Sequence, residues 1–259
     1  MADDEQPLLN DWRQGDLALA PIELPILIDD AGDMAIAFVQ AIHGVAVLTQ
    51  SCDIVRAVAV KPTVQVAALA LVDPDEMARV RSRAVPSRAY LEPLEGLGLV
   101  VDLDSVAIVE KAVVARWTRT PGCATDDDQR LFGAALARHR QRFAFPDEFN
   151  DLVKPVRRWI ESKRTADSPN GRMIREIREI RVITDDWENP DSLVFLLIFS
   201  SMPDDAELKQ WEAAVRTLEA KGRMEGFPKP EFRLATYDDL SAAEYVNSDR
   251  LDWDGLSEA

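Results

Sequence analysis

Gly44-Val-Ala-Val-Leu-Thr-Gln-Ser-Cys-Asp53 changes character at its midpoint. Val45–Leu48 is a short apolar run that reads as a strand with no solvated face. It stops abruptly at Thr49, Gln50, Ser51, Cys52 and Asp53, all able to hydrogen bond or react. A strand that delivers such a cluster to its tip commonly builds a site, because the sheet holds the groups rigidly. The competing reading is local: Ser51 or Asp53 caps the next turn and Cys52 packs as a small hydrophobe. Thr49, Gln50, Ser51, Cys52 and Asp53, together with Arg56, form the candidate binding set.

Working outward, the flanking sequence reads as further short strands. Residues 1–11 are a polar tail, and Leu17–Ile22 alternates after the turn Gln14-Gly15-Asp16. Ile26–Ile28 and Met34–Ile42 bracket Asp29-Asp-Ala-Gly-Asp33, which has hairpin chemistry. Val64–Leu71, Tyr90–Pro93 and Leu99–Leu103 follow, with a short helix within 74–88, and Asp104–Ala115 completes the block. Many short strands with regular turns and a single helical excursion predict a small closed barrel over residues 12–117. Thr118–Thr125, with its Pro-Gly-Cys centre, reads as a linker.

Residues 126–259 read as a separate α+β domain of helices on an antiparallel sheet. Thr125 or Asp126 caps a helix over 127–143, and a second helix over 146–163 contains Pro155, which predicts a kink or break. Ile177–Thr184, Ser192–Ser201 and Glu231–Thr236 read as strands. Asp204–Lys221 is an amphipathic helix with Leu208, Trp211, Val215 and Leu218 on one side. The tail over 240–256 carries Tyr245, Leu251, Trp253 and Leu256, which are expected to dock on a core.

Composition narrows the class. The chain has 259 residues, 47% of them hydrophobic, and a net charge of −16, which disfavours general nucleic-acid binding. Residues 129–181 nonetheless hold an excess of Lys and Arg, and Arg172, Arg175, Arg178 and Arg181 recur every third position. They are the candidate nucleic-acid contacts, although the interleaved Glu176 and Glu179 blunt phosphate binding. The apolar runs are far short of the roughly 20 residues of a membrane span. The acidic start has the character of neither a signal nor a transit peptide, and two cysteines make no disulfide framework, so a cytoplasmic location is expected. No cofactor is implied. The acidic clusters Asp126–Asp128, Asp185-Asp186 and Asp238-Asp239 stand where helix caps and turns are expected, so no metal site is assigned.

Three groups of residues carry a family resemblance. Gly15-Asp16-Leu-Ala-Leu resembles the opening strand of the PemK/MazF-type toxins, Gly44–Ser51 their second conserved strand, and Val100–Val109 a late one. The likeness spans about 12–117 and implies an SH3-like barrel within a toxin–antitoxin or phage-defence module. The ribonucleases of that family use an arginine before the second strand and a hydroxyl at the end of the next. Here those positions fall near His43-Gly44 and on Ala67 and Ala68, so the cation and acid–base group that phosphate cleavage requires are missing. The expected function is a non-catalytic binding or regulatory component with a protein partner. Two enzyme classes compete with it: RNA cleavage by relocated groups, and a hydrolase or transferase dependent on Cys52. For the latter, His43 is the nearest base and Asp53 the nearest carboxylate, but a straight strand between Cys52 and His43 separates them by about 25–30 Å.

Overall fold

The computed structural model describes residues 9–141, 143–164, 166–223 and 225–251, and the chain divides into two units between Gln141 and Arg142. In the first unit, β1 (Leu17–Ala18), β4 (Val45–Val47), β5 (Thr63–Leu71), β7 (Leu99–Glu110) and β6 (Arg88–Ala89) form one antiparallel sheet in the order β1-β4-β5-β7-β6. β2 (Ile22–Asp30) and β3 (Asp33–Ala41) pair with each other as a separate hairpin. Ala31 and Gly32 both have positive φ, as a two-residue hairpin turn requires.

The four-residue apolar run has a direct cause. Val45 and Val47 pack into one core with Trp12, Ile54, Val66 and Val114, while Ala46 and Leu48 face another with Leu17, Leu69, Val101 and Phe132. Side chains alternate across a strand, so burial on both faces erases the polar positions. The expected closed barrel is not found: among the described residues the strand order is linear, with no pairing between β1 and β6. β5 and β7 shift register between Ala67 and Leu69, where Asp102–Ser105 forms a bulge tied by Ser105 Oγ donating to Asp102 Oδ2 at 2.9 Å.

Three boundaries differ from expectation. Leu9, assigned to the polar tail, is wholly buried beside Trp12. Residues 118–125 are not a bare linker, because Leu17 and Thr120 exchange both backbone hydrogen bonds at 2.8 Å. The helix that follows, Asp126–Arg140, belongs to the first unit, burying Phe132 and Leu136 against the sheet. Gly122 is needed there: a Cβ would lie 1.8 Å from the carbonyl oxygen of Gly15. The short helices of this unit are α1 (Ser51–Ile54), α2 (Pro74–Arg81), α3 (Glu92–Glu95) and α4 (Lys111–Val114), and Asp126–Arg140 is α5.

The second unit is α+β, but its sheet is mixed rather than antiparallel. Its order is β10 (Glu231–Thr236), β9 (Leu193–Phe199), β8 (Ile177–Thr184), β11 (Asp249–Arg250), with β10 parallel to β9 and the other pairs antiparallel. The parallel pair follows from connectivity, since α8 (Asp205–Lys221) crosses from the end of β9 to the start of β10. α6 (Asp147–Arg164) continues through Pro155 without a break and packs Phe149, Leu152, Val156 and Ile160 on Phe195 and Leu197. α7 (Pro169–Glu176) runs straight into β8, and α9 (Ala242–Val246) precedes β11. Leu251 is buried as expected, whereas Trp253 and Leu256 lie outside the described residues.

Candidate functional site

The strand tip is tied down group by group. Leu48 N donates to Gln65 O at 2.9 Å, and Gln65 N donates to Thr49 Oγ1 at 2.7 Å, so the threonine hydroxyl continues the β4–β5 ladder beyond the backbone. Ser51 Oγ accepts from Gln14 N at 3.1 Å, and Gln14 Nε2 donates to Leu48 O at 2.8 Å. These bonds fix the direction in which residues 49–53 leave the sheet.

Asp53 lies at the centre of a charge cluster. Its carboxylate takes Lys61 Nζ, and Arg56 Nε stands 3.5 Å away. The Lys61 hydrogen bond holds the carboxyl below the usual aspartate range. Beneath it, the buried Lys111 donates from Nζ to Asp53 O at 2.8 Å and to Arg56 O at 2.6 Å. Lys111 therefore caps the carbonyl end of α1, and its burial pushes the ammonium pKa down.

A cleft of about 480 Å³ opens beside this tip. It is lined by Leu48, Thr49, Gln50 and Asp53 of the strand tip, by Lys61, Thr63 and Gln65, by Gly133, Ala137 and Arg140 of α5, and by Gln14. Arg140 reaches across and donates to Gln65 Oε1. The lining thus sets two cations, Lys61 and Arg140, against one carboxylate, in a chain whose net charge is −16.

Of the candidate binding residues, Thr49, Gln50 and Asp53 line the cleft; Ser51 supports it through Gln14, and Arg56 flanks Asp53. Cys52 is exposed, with its thiol 3.8 Å from Gln50 Oε1. His43 lies at the other end of β4, and among the described residues no hydrogen bond or ion pair joins it to Cys52 or Asp53. His139 instead faces Asp104, at 3.7 Å. Gln14, Lys61, Gln65, Lys111 and Arg140 belong to no motif in the sequence, because four separate segments bring them to one place. The polar faces of Gln14 and Gln65 beside apolar neighbours were the available signal.

The four arginines are divided between two consecutive elements, and three of them, Arg172, Arg175 and Arg178, are exposed. Arg172 and Arg175 are on α7, where Arg175 Nη1 donates to Arg164 O at 2.7 Å, while Arg178 and Arg181 are on β8. Arg178 Nε donates to Ser200 Oγ at 2.6 Å. Arg181 is largely buried: it pairs with Glu179 at 2.6 Å, stacks on Tyr245 at 4.2 Å and donates to Ser248 Oγ. Tyr237 and Tyr245 hydroxyls also donate to Glu179, at 3.2 and 3.3 Å. This network pins the C-terminal segment onto β8.

The acidic clusters do local structural work. Thr125 and Asp128 form a capping box for α5, Thr236 and Asp239 form another, and Asp185 accepts from Asp191 N and Ser192 N. Among the described residues no three His, Cys, Asp or Glu side chains gather as metal ligands, and no helix is long and apolar enough to cross a membrane.

No family model matches the chain, and no curated protein or solved structure does.

Proposed function

We propose that this chain is a non-catalytic binding component whose first unit seats an acidic segment of a protein partner in the Thr49–Asp53 cleft. The observation that carries this reading is the division of labour at the strand tip. Thr49 and Ser51 hold the loop, while Lys61, paired with Asp53, and Arg140, bonded to Gln65 Oε1, bring two cations and one carboxylate to the lining of a cleft of about 480 Å³. A chain of net charge −16 repels acidic partners generally, so a local cationic lining selects where one is received.

Catalysis is less well supported. Cys52 has an amide oxygen beside its thiol rather than a base. Ala67 and Ala68 supply no hydroxyl at the position where the PemK/MazF-type ribonucleases carry one. The resemblance of residues 12–117 to that family supports an SH3-like ancestry for this unit and a setting in a toxin–antitoxin or phage-defence module.

The test compares three fluorescent probes by anisotropy: an Asp/Glu-rich peptide, a Lys-rich peptide, and single-stranded RNA with the charge of the first. The expected result is saturable binding of the acidic peptide alone, with no RNA cleavage. Preferential binding or cleavage of the RNA would replace this reading with the nuclease one.

A further inference from the structure

The β2–β3 hairpin breaks the rule that a solvated two-stranded ribbon keeps one polar face. Directly opposed residues share a face. On one side Leu24 and Ala41 are buried at the base and Ala35 and Ala37 are half-buried, while Ile26, Ile28 and Val39 are 41%, 38% and 48% exposed. On the other side, Pro25 pairs with Phe38, Leu27 with Ile36, and Asp29 with Met34. Phe38, Ile36, Leu27 and Met34 are 63%, 66%, 70% and 85% exposed. Scattered exposed hydrophobics are ordinary, whereas a contiguous row of this kind marks a contact surface.

We propose that this face is an isologous contact with a second copy of the same chain. With Pro25, the four side chains present on the order of 600 Å² per copy, so their complete burial in a self-pair would remove about 1,200 Å² from water, where specific stable interfaces begin. The order of rungs along the face supports a twofold. A polar Glu23–Gln40 rung, joined by a 2.6 Å hydrogen bond, lies at the base, Pro25–Phe38 and Leu27–Ile36 lie in the middle, and Asp29–Met34 lies at the tip. A twofold axis between the two middle rungs stacks Leu27 and Ile36 over the partner's Pro25 and Phe38. It also holds the two acidic tips, each with Asp29, Asp30 and Asp33, at opposite ends of the contact.

The same residues argue against other arrangements. The three carboxylates at the tip oppose docking of this end on an anionic lipid surface, whereas the twofold keeps the two tips apart. Pro25 removes a donor from β2, which disfavours strand-by-strand growth along that edge. Face-to-face closure of two copies remains.

Sedimentation velocity on the full chain across micromolar concentrations tests this. The wild type should sediment as a species of twice the 28.9 kDa protomer mass. Leu27→Glu/Phe38→Glu should weaken the dimer at least tenfold while leaving the circular dichroism spectrum unchanged. A photocrosslinker at position 38 should in addition give a homodimeric product. A wild type that stays monomeric, a dimer unaffected by the double substitution, or crosslinks made only within one chain would overturn the proposal.

Discussion

Lys111 is wholly buried, and its ammonium donates to the carbonyl oxygen of Asp53, 58 residues earlier, at 2.8 Å. A second bond to Arg56 O at 2.6 Å makes one lysine the carbonyl cap of α1 and the anchor of the loop that bears the cleft. The position of the candidate site therefore depends on the first residue of α4, just after β7. Lys111→Met should remove both bonds without changing the apolar stem. The expected cost is about 1–3 kcal/mol for each carbonyl left unpaired, read from urea unfolding. A loss under 0.5 kcal/mol, within the usual range for surface changes of about ±0.5 kcal/mol, would show that water replaces the lysine.

Asp16 and Arg119 make a comparable long-range contact, with Arg119 Nε 2.6 Å from the buried Asp16 Oδ2. Arg13 N also donates to Asp16 Oδ2 at 2.6 Å. Arg119→Ala leaves a buried carboxylate without its cation and should destabilise the first unit by about 3–5 kcal/mol. Thermal or urea unfolding checks this, and an equally stable variant would mean that the backbone donors suffice.

Proteolysis should follow the observed division of the chain. Leu17 and Thr120 exchange two backbone bonds, so the Thr118–Thr125 segment should resist a protease that cleaves within 141–146, between the two units. Mass spectrometry of the first fragments decides the matter. Early cuts at 118–125 would restore the boundary expected from composition.

Asp53 supplies a pH dependence of defined sign. Its folded-state pKa lies below the reference value of 3.8, chiefly through the Lys61 hydrogen bond. The carboxylate thus contributes stability that is fully present above 3.8 and is lost as the pH falls through the folded value. Asp53→Asn should flatten that acid limb while barely changing the slope between pH 6 and 8. An unaltered acid limb would show that the Lys61 contact contributes nothing in solution.

Much of the fold was legible because apolar periodicity survives wherever an element has one dominant environment. Asp204 caps α8 and Trp211 and Leu218 are buried, as their spacing indicates; Ile177–Thr184 and Glu231–Thr236 are strands over those residues. The barrel expectation failed because burial of β4 on both faces looks the same in sequence whether a sheet is closed or covered by α5. The parallel β9–β10 pair was not legible either, since pairing direction is set by the α8 crossover rather than by residues in the strands. At the candidate site, Thr49, Gln50 and Asp53 stood out because an apolar strand ends in them. Lys61, Lys111 and Arg140 did not, because their roles arise only when β5, β7 and α5 converge.

If Lys61 and Arg140 make the Thr49–Asp53 cleft a receptor for an acidic segment, reversing both charges removes it. Anisotropy titrations of the Asp/Glu-rich peptide against wild type and Lys61→Glu/Arg140→Glu should show binding weakened at least tenfold, or about 1.4 kcal/mol or more. The variant should in turn gain affinity for the Lys-rich peptide. Equal affinity of both proteins for the acidic peptide, with the variant folded by circular dichroism, would mean that Lys61 and Arg140 do not receive an acidic segment.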